Sequence, residues 1–397
     1  MATLDDSIHT LSRLIEFDSV SSRSNAAVSD DVANRLESLG FAVERSHYID
    51  ADGQSKVNLV AKREPNQSGA TKGGLAYFCH TDVVPAEGWT GPGGDPFQAV
   101  LQEDRLYGRG SCDMKGSLVA MLAAASQVSA SDQQAPLWIV CTADEEVGFD
   151  GARHVVAHSA AYRELVDHEP MGIIGEPTGL SVVHAHKGIT GIQFTSRGRA
   201  AHSSTSDGVN ANESIVPILQ LLLELGEVTK SDASYQDDRF DPPTLSWNFG
   251  VSDFSRAVNI TPAVSKAWLS LRTMPEIDGA ELVATLVTKA ESLGLEIKRF
   301  EGGRPVWIEP DSACIQDLCQ IAGGEPKTVC FGTDGGEFTE LNKLAVWGPG
   351  HIAQAHTTDE WLSLQQLVAG TDMYAKAIRH WSCSKGGNPL PGPISPS

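Results

Sequence analysis

A chain of 397 residues is longer than one hydrophobic core usually serves, so two domains are expected. Hydrophobic residues at 41% and charged residues at 20% are the balance of an ordinary globular protein with sizeable cores. Fifty-one acidic against 30 basic side chains leave a net charge of −21, a field that repels a phosphate backbone and argues against a nucleic-acid partner. No run approaches the ~20 apolar residues of a membrane span, so no membrane partner is expected. The opening residues, with Asp5 and Asp6 and no basic-then-apolar pattern, do not read as a signal peptide. Seven scattered cysteines, never in CxxC spacing, read as reduced thiols, and the cytoplasm is the expected compartment.

In chain order, Leu4, Ile8, Leu11 and Ile15 fall at helical spacing, as do Val28, Val32, Leu36 and Leu39, with Gly40 as a stop. Short apolar runs at 41–43, 57–61, 75–79, 137–141 and 171–174 read as strands, with a helix over 117–128 between them. Buried strands interleaved with helices predict an α/β sheet covered on both faces. From about Ile189 the order becomes strand, helix, two strands, helix, strand, the βαββαβ order of a ferredoxin-like unit. The α/β pattern then resumes and closes with a helix over 362–380. The expected organisation is thus a two-segment α/β catalytic domain, 1–186 and 296–382, with a ferredoxin-like domain inserted at 187–295. Residues 383–397, rich in Gly, Pro and Ser, read as a disordered tail.

The chemistry-bearing residues sit at the ends of the predicted strands, where ligands gather in open α/β sheets. His80 and Asp82 follow the strand at 75–79, Glu145 and Glu146 the strand at 137–141, and Glu176 the strand at 171–174. Asp113 lies in the glycine-punctuated loop Gly108-Arg109-Gly110-Ser111-Cys112-Asp113, and His356 is a late-sequence partner. Singly, each has a plain structural reading: a polar pair, a solvated Glu-Glu turn, a helix N-cap at Asp113. Together, His80, Asp113, Glu146, Glu176 and His356 supply the imidazole and carboxylate set that two zinc ions sharing a bridging carboxylate require. Glu145 is then a spare carboxylate, able to take a proton from water and return it to a leaving amine. Asp82 is placed to accept the other N–H of His80. The pair His184 and His186 is left as a structural feature.

The segments His80-Thr81-Asp82-Val83-Val84-Pro85, Cys112-Asp113-Met114-Lys115-Gly116, Asp144-Glu145-Glu146 and Gly175-Glu176-Pro177-Thr178 resemble the di-zinc aminoacylase and carboxypeptidase superfamily. Within it, Ala185-His186-Lys187-Gly188, Ala201-His202-Ser203-Ser204 and Gly348-Pro349-Gly350-His351 resemble the acetylornithine deacetylases. The resemblance implies that His80 and Glu176 hold one zinc and Glu146 and His356 the other, with Asp113 bridging and cobalt as a substitute metal. It makes Glu145 the general acid/base and Asp82 the support of His80. It further implies a homodimer through the inserted domain, with His202 serving the partner's site as an oxyanion stabiliser. Asn259 and Arg272 match positions that bind a substrate carboxylate; Gly332, Thr333 and Asp334, expected to bind substrate, stand where acetylornithine deacetylases usually carry Gly-Thr-Glu-Ala.

The expected substrate is a small N-acyl amino acid, with hydrolysis of N-acetyl-L-ornithine to ornithine and acetate, a step of arginine biosynthesis, as the leading reading. A broader acyl-amino-acid hydrolase or dipeptidase uses the same site, and a non-catalytic binding protein on this fold is the distant alternative. Glu337 stands where desuccinylases place an arginine, which argues against an anionic succinyl group. The segment Gly91-Pro92-Gly93-Gly94 reads as a loop insertion near the cleft.

Overall fold

The computed structural model describes residues 2–66, 72–255, 257–300 and 302–383. The expected tail, apart from Cys383, lies outside the described residues. In chain order the first half contains α1 (Leu4–Ile15), α2 (Ala26–Ser38), β1 (Ala42–Ile49), β2 (Ser55–Arg63), β3 (Leu75–His80), β4 (Val100–Gln102) and β5 (Arg105–Tyr107). There follow α3 (Gly116–Ser126), β6 (Leu137–Thr142), α4 (Asp150–His158), α5 (Ala160–His168), β7 (Met171–Ile174) and β8 (Val183–His186). Next come β9 (Thr190–Arg197), α6 (Asn212–Ser231), β10 (Asn248–Ser252), β11 (Val264–Leu271), α7 (Ala280–Ser292) and β12 (Glu296–Phe300). The chain closes with β13 (Val306–Trp307), α8 (Ala313–Ala322), β14 (Lys327–Val329), β15 (Leu344–Val346), β16 (Trp361–Ser363) and α9 (Leu364–Ile378).

The described residues form two compact units, one within 2–185, 308–327 and 333–383 and the other within 186–307 and 328–332. Residues 296–307 and 328–332, expected in the first domain, belong to the second. The reason is that β12 pairs with β9 from Glu296↔Thr195 to Phe300↔Gly191, adding an edge strand to that unit's own sheet.

In the first unit the sheet runs β1-β2-β6-β3-β7-β15-β8. β3, β6, β7 and β15 are parallel neighbours, while β1 and β2 pair antiparallel. Alternation puts Tyr77, Cys79, Ile139, Cys141 and Ile173 into a core with α1, α2, α3, α8 and α9. Phe78 points to the other face, where its ring lies 4.5 Å from Phe338, which also meets Tyr162 of α5. Both faces are therefore covered, which is why these strands read as unbroken apolar runs. β1 is longer than its apolar run suggests, because its Glu, Arg, Ser and His side chains suit a partly exposed edge strand.

The second unit is a four-stranded antiparallel sheet, β10-β11-β9-β12, the strand order of a ferredoxin-like fold. Ile192 and Phe194 of β9 and Ala267 and Leu269 of β11 face Ile215, Ile218 and Leu222 of α6 and Leu286 of α7.

Candidate metal centre

The parallel order of β6, β3 and β7 aligns the carboxyl ends of these strands, and the expected ligands follow those ends. His80 is the last residue of β3 and pairs in register with Thr142. Its Nδ1 donates to the backbone carbonyl of Asp82 at 2.9 Å, leaving Nε2 to face Asp113 Oδ1 at 3.1 Å and Glu176 Oε1 at 3.6 Å. Asp113 turns its second oxygen, Oδ2, toward His356 Nε2 at 3.4 Å, and that nitrogen lies 3.0 Å from Glu146 Oε2. Two triads result, His80–Asp113–Glu176 and Asp113–Glu146–His356, sharing Asp113. Among the described residues no other group of three or more His, Cys, Asp or Glu closes in this way, and His184 and His186 join none.

These separations fit metal ions. Ligand atoms about 2.0–2.2 Å from a tetrahedral zinc lie about 3.3–3.6 Å from one another. The four imidazole-to-carboxylate separations run from 3.0 to 3.6 Å, and Glu146 Oε1 is buried without a protein partner.

Electrostatics point the same way. Burial, reinforced by Asp113, pushes the Glu176 carboxyl well above its usual range, and burial with Asp113 also raises Glu146. Glu145 is pushed well above by burial and then by Glu176 and Glu146, with His80 opposing. Burial would lower His80, but Asp113 and Glu176 outweigh it and hold the imidazole well above its usual value. His356 is raised to about 10 by its contacts with Asp113 and Glu146. So many mutually repelling carboxylates retain protons that a dication can displace.

Asp82 departs from expectation. Its carboxylate does not hold the His80 N–H, which goes to its own carbonyl, and Oδ1 stands 3.7 Å away. The carboxylate instead accepts from Glu145 N at 3.2 Å, Glu146 N at 3.4 Å and Ser21 Oγ at 2.7 Å, and so orients the Glu145–Glu146 turn. Asp144, at the head of that turn, accepts from Lys56 Nζ and Tyr48 Oη, both at 2.6 Å.

Glu360 is the residue sequence reasoning passed over. Fully buried, it accepts from Arg109 Nη1 at 2.7 Å, Gly110 N at 2.9 Å, Cys112 N at 2.8 Å and Asp113 N at 3.0 Å. It therefore holds the loop bearing Asp113, which turns at Gly110 with φ of 81°, a conformation glycine adopts without strain. Only its place four residues after His356 hinted at this role. The Gly91-Pro92-Gly93-Gly94 segment is anchored two residues after His356, where Thr90 N and Gly91 N both donate to Thr358 O.

The remaining predicted residues are distributed between the units. Asp334, in the first unit, is buried and accepts from Thr142 Oγ1. Thr333 is buried beside it and accepts from Gly335 N at 3.0 Å. Glu337 lies 3.2 Å from Arg153 Nη2, which offsets the charge expected to repel an anionic acyl group. In the second unit His202 is exposed, with Nδ1 2.7 Å from Ser204 Oγ, and forms an isolated antiparallel bridge with Ile260. Asn259 O accepts from Ser203 N at 3.0 Å, so His202 and Asn259 lie on paired segments. Arg272 lies near Gly332, where an added Cβ would stand 3.7 Å from Arg272 Nη1.

Residues 76–380 match the model of peptidase family M20/M25/M40. The chain belongs to that family. It is therefore an M20-family metallohydrolase, with its ligand-bearing strand ends inside the matched region. The chain is 34% identical over 383 residues to an acetylornithine deacetylase of Myxococcus xanthus, covering 94% of this chain and 96% of that protein. An M20 family metallo-carboxypeptidase from Sulfolobus solfataricus shares the fold with a TM-score of 0.74 at 17% identity, over 94% of this chain and 99% of that one. The Bacillus subtilis YXEP protein, described as a dinuclear metal binding peptidase of this family, superposes with a TM-score of 0.61 at 12% identity, over 94% and 97%. Among the described residues no helix is long and apolar enough to cross a membrane.

Proposed function

We propose that this M20-family hydrolase deacetylates N-acetyl-L-ornithine at a pair of zinc ions, in the cytoplasm and as a step of arginine biosynthesis. The observation that carries the reading is the pair of overlapping triads sharing Asp113, with Glu145 as a further carboxylate beside them. Similarity to the Myxococcus deacetylase along nearly the whole chain supports the choice of substrate.

In this reading His80 and Glu176 hold one zinc, Glu146 and His356 the other, and Asp113 bridges, with cobalt able to replace zinc. Bound there, the metal pair supplies Lewis-acid polarisation of the acyl carbonyl and acidifies water. Glu145 takes a proton from the attacking water on its carboxylate and later gives it to the departing α-amine nitrogen. Its raised affinity for protons suits a group that takes up a proton and later hands it on. Asp82 keeps the Glu145 backbone in place through its hydrogen bond. His202 is assigned to the developing oxyanion, which its exposed imidazole can meet as a hydrogen-bond donor. Arg272, with Asn259, is assigned to the substrate carboxylate, for which a guanidinium offers two parallel donors.

A homodimer through the second unit is part of the proposal. Val216 and Leu223 of α6, two turns apart, are exposed, as are Val251 of the edge strand β10 and Phe254. An apolar patch along a sheet edge is what a second copy can cover.

The test is kcat/KM for N-acetyl-L-ornithine beside N-acetyl-L-methionine on zinc-reconstituted protein. Preference for the ornithine derivative supports the reading. Equal or reversed preference moves the protein to a broader acyl-amino-acid hydrolase or dipeptidase with the same metal centre.

A further inference from the structure

Outside the metal centre, α4 carries a second grouping of ligand-type side chains. Asp150, His154 and His158 follow one another at four-residue intervals and so share a face of the helix. The two imidazole rings lie 4.5 Å apart between centroids, inclined by 47°. His154 also stacks on Tyr48 of β1, with centroids 4.9 Å apart and planes 24° from parallel. His154 is half-buried and His158 exposed. Both border a surface groove of about 330 Å³ together with Tyr48, Asp50 and Asp150.

The groove's carboxylates are already engaged: Asp150 lies 2.9 Å from Arg153 Nη1, and Asp50 lies 3.4 Å from Lys56 Nζ. A hard, oxygen-seeking cation such as Mg²⁺ or Ca²⁺ therefore finds little here. Burial, and then the neighbouring His158, hold His154 below its usual protonation range, which keeps it in the neutral form that binds metals. Stacking on Tyr48 restricts one of the two rings before any ion arrives, which reduces the ordering cost of binding.

We propose that His154 and His158 form a surface bis-imidazole site for a late first-row divalent ion, Cu²⁺ in preference to Ni²⁺ or Zn²⁺. The preference follows the affinity order of nitrogen ligands for these ions. Water completes the coordination, since among the described residues no third His, Cys, Asp or Glu closes on the pair. The site binds metal independently of the hydrolytic centre and shares no ligand with it.

The experiment titrates Cu²⁺ into the zinc-loaded full chain with glycine as a competing weak chelator. Bound copper is followed by electron paramagnetic resonance and released zinc by mass spectrometry. The wild type takes up one equivalent of Cu²⁺ without releasing zinc, with coupling to two imidazole nitrogens. His158→Gln and His154→Gln each lose that equivalent at the same free copper and leave coupling to a single nitrogen in whatever binds at higher concentration. Glutamine is a good helix former, and unchanged circular dichroism verifies that α4 persists. Copper uptake by the double variant with wild-type affinity and spectrum overturns the proposal. So does uptake matched by zinc release.

Discussion

Replacing Glu360 by glutamine tests whether the buried carboxylate organises the loop bearing Asp113. Oε2 accepts from Arg109 Nη1 and Gly110 N, and Oε1 from Cys112 N and Asp113 N. Glutamine has one acceptor oxygen, so whichever way the amide is turned its NH₂ faces two donors. Each lost hydrogen bond to a charged acceptor is worth about 1.5–3 kcal/mol. Arg109, itself only 3% exposed, is also left without its carboxylate, and breaking a buried pair costs about 3–5 kcal/mol. The two costs describe the same defect and do not add, so about 3–5 kcal/mol is expected. At about 2–4 °C per kcal/mol for a unit of this size, Tm falls by about 6–20 °C. Thermal unfolding of metal-free protein reads the stability, and metal content after gel filtration reads the loop, because Asp113 loses its anchor. The control is Arg13→Gln, which breaks an exposed pair with Glu16 and should leave Tm nearly unchanged. A Glu360→Gln protein with wild-type metal content and a Tm no lower than that control refutes the reasoning.

Glu145→Ala should reduce turnover by at least about 100-fold while leaving metal content unchanged, as expected of a proton carrier that is not a ligand; paired activity and metal assays check this. His202→Ala should impair kcat far more than zinc content, and equal losses of both would argue for a structural role. Metal affinity should rise with pH, because His356, held up to about 10, and the raised carboxyls must lose protons before they ligate; competition with a chelator between pH 6 and 8 should show about tenfold or less per unit for each proton released. Asp334 is raised to about 7 by burial, with Thr142 and His80 opposing. A carboxyl whose folded value is raised favours folding below its unfolded value and loses that contribution as pH climbs toward the folded one. Asp334→Asn should therefore raise the Tm of metal-free protein more at pH 8 than at pH 4.

Periodicity alone made much of this molecule legible. Strands buried on both faces, such as β3 and β6, read as unbroken apolar runs, and ligands placed just after such runs had to converge if the strands were parallel neighbours. The order of elements from β9 to β12 likewise announced a ferredoxin-like unit, because hydrophobic spacing changes visibly between strand and helix. What sequence left open depends on contacts between distant positions. The assignment of the His80 N–H to the Asp82 carbonyl rather than its carboxylate depends on a local turn that no spacing rule encodes. Asp334 finds its hydrogen-bond partner in Thr142, 192 residues away, a pairing that no local pattern encodes. Glu360 is an ordinary acidic residue in sequence and becomes the anchor of the Asp113 loop only when a segment some 250 residues later returns to it. Residue type and local period determine which elements form and which side chains can ligate. The hydrogen-bond partner of each buried charge is decided by tertiary closure, since a charge taken out of water must find its donors wherever the folded chain brings them.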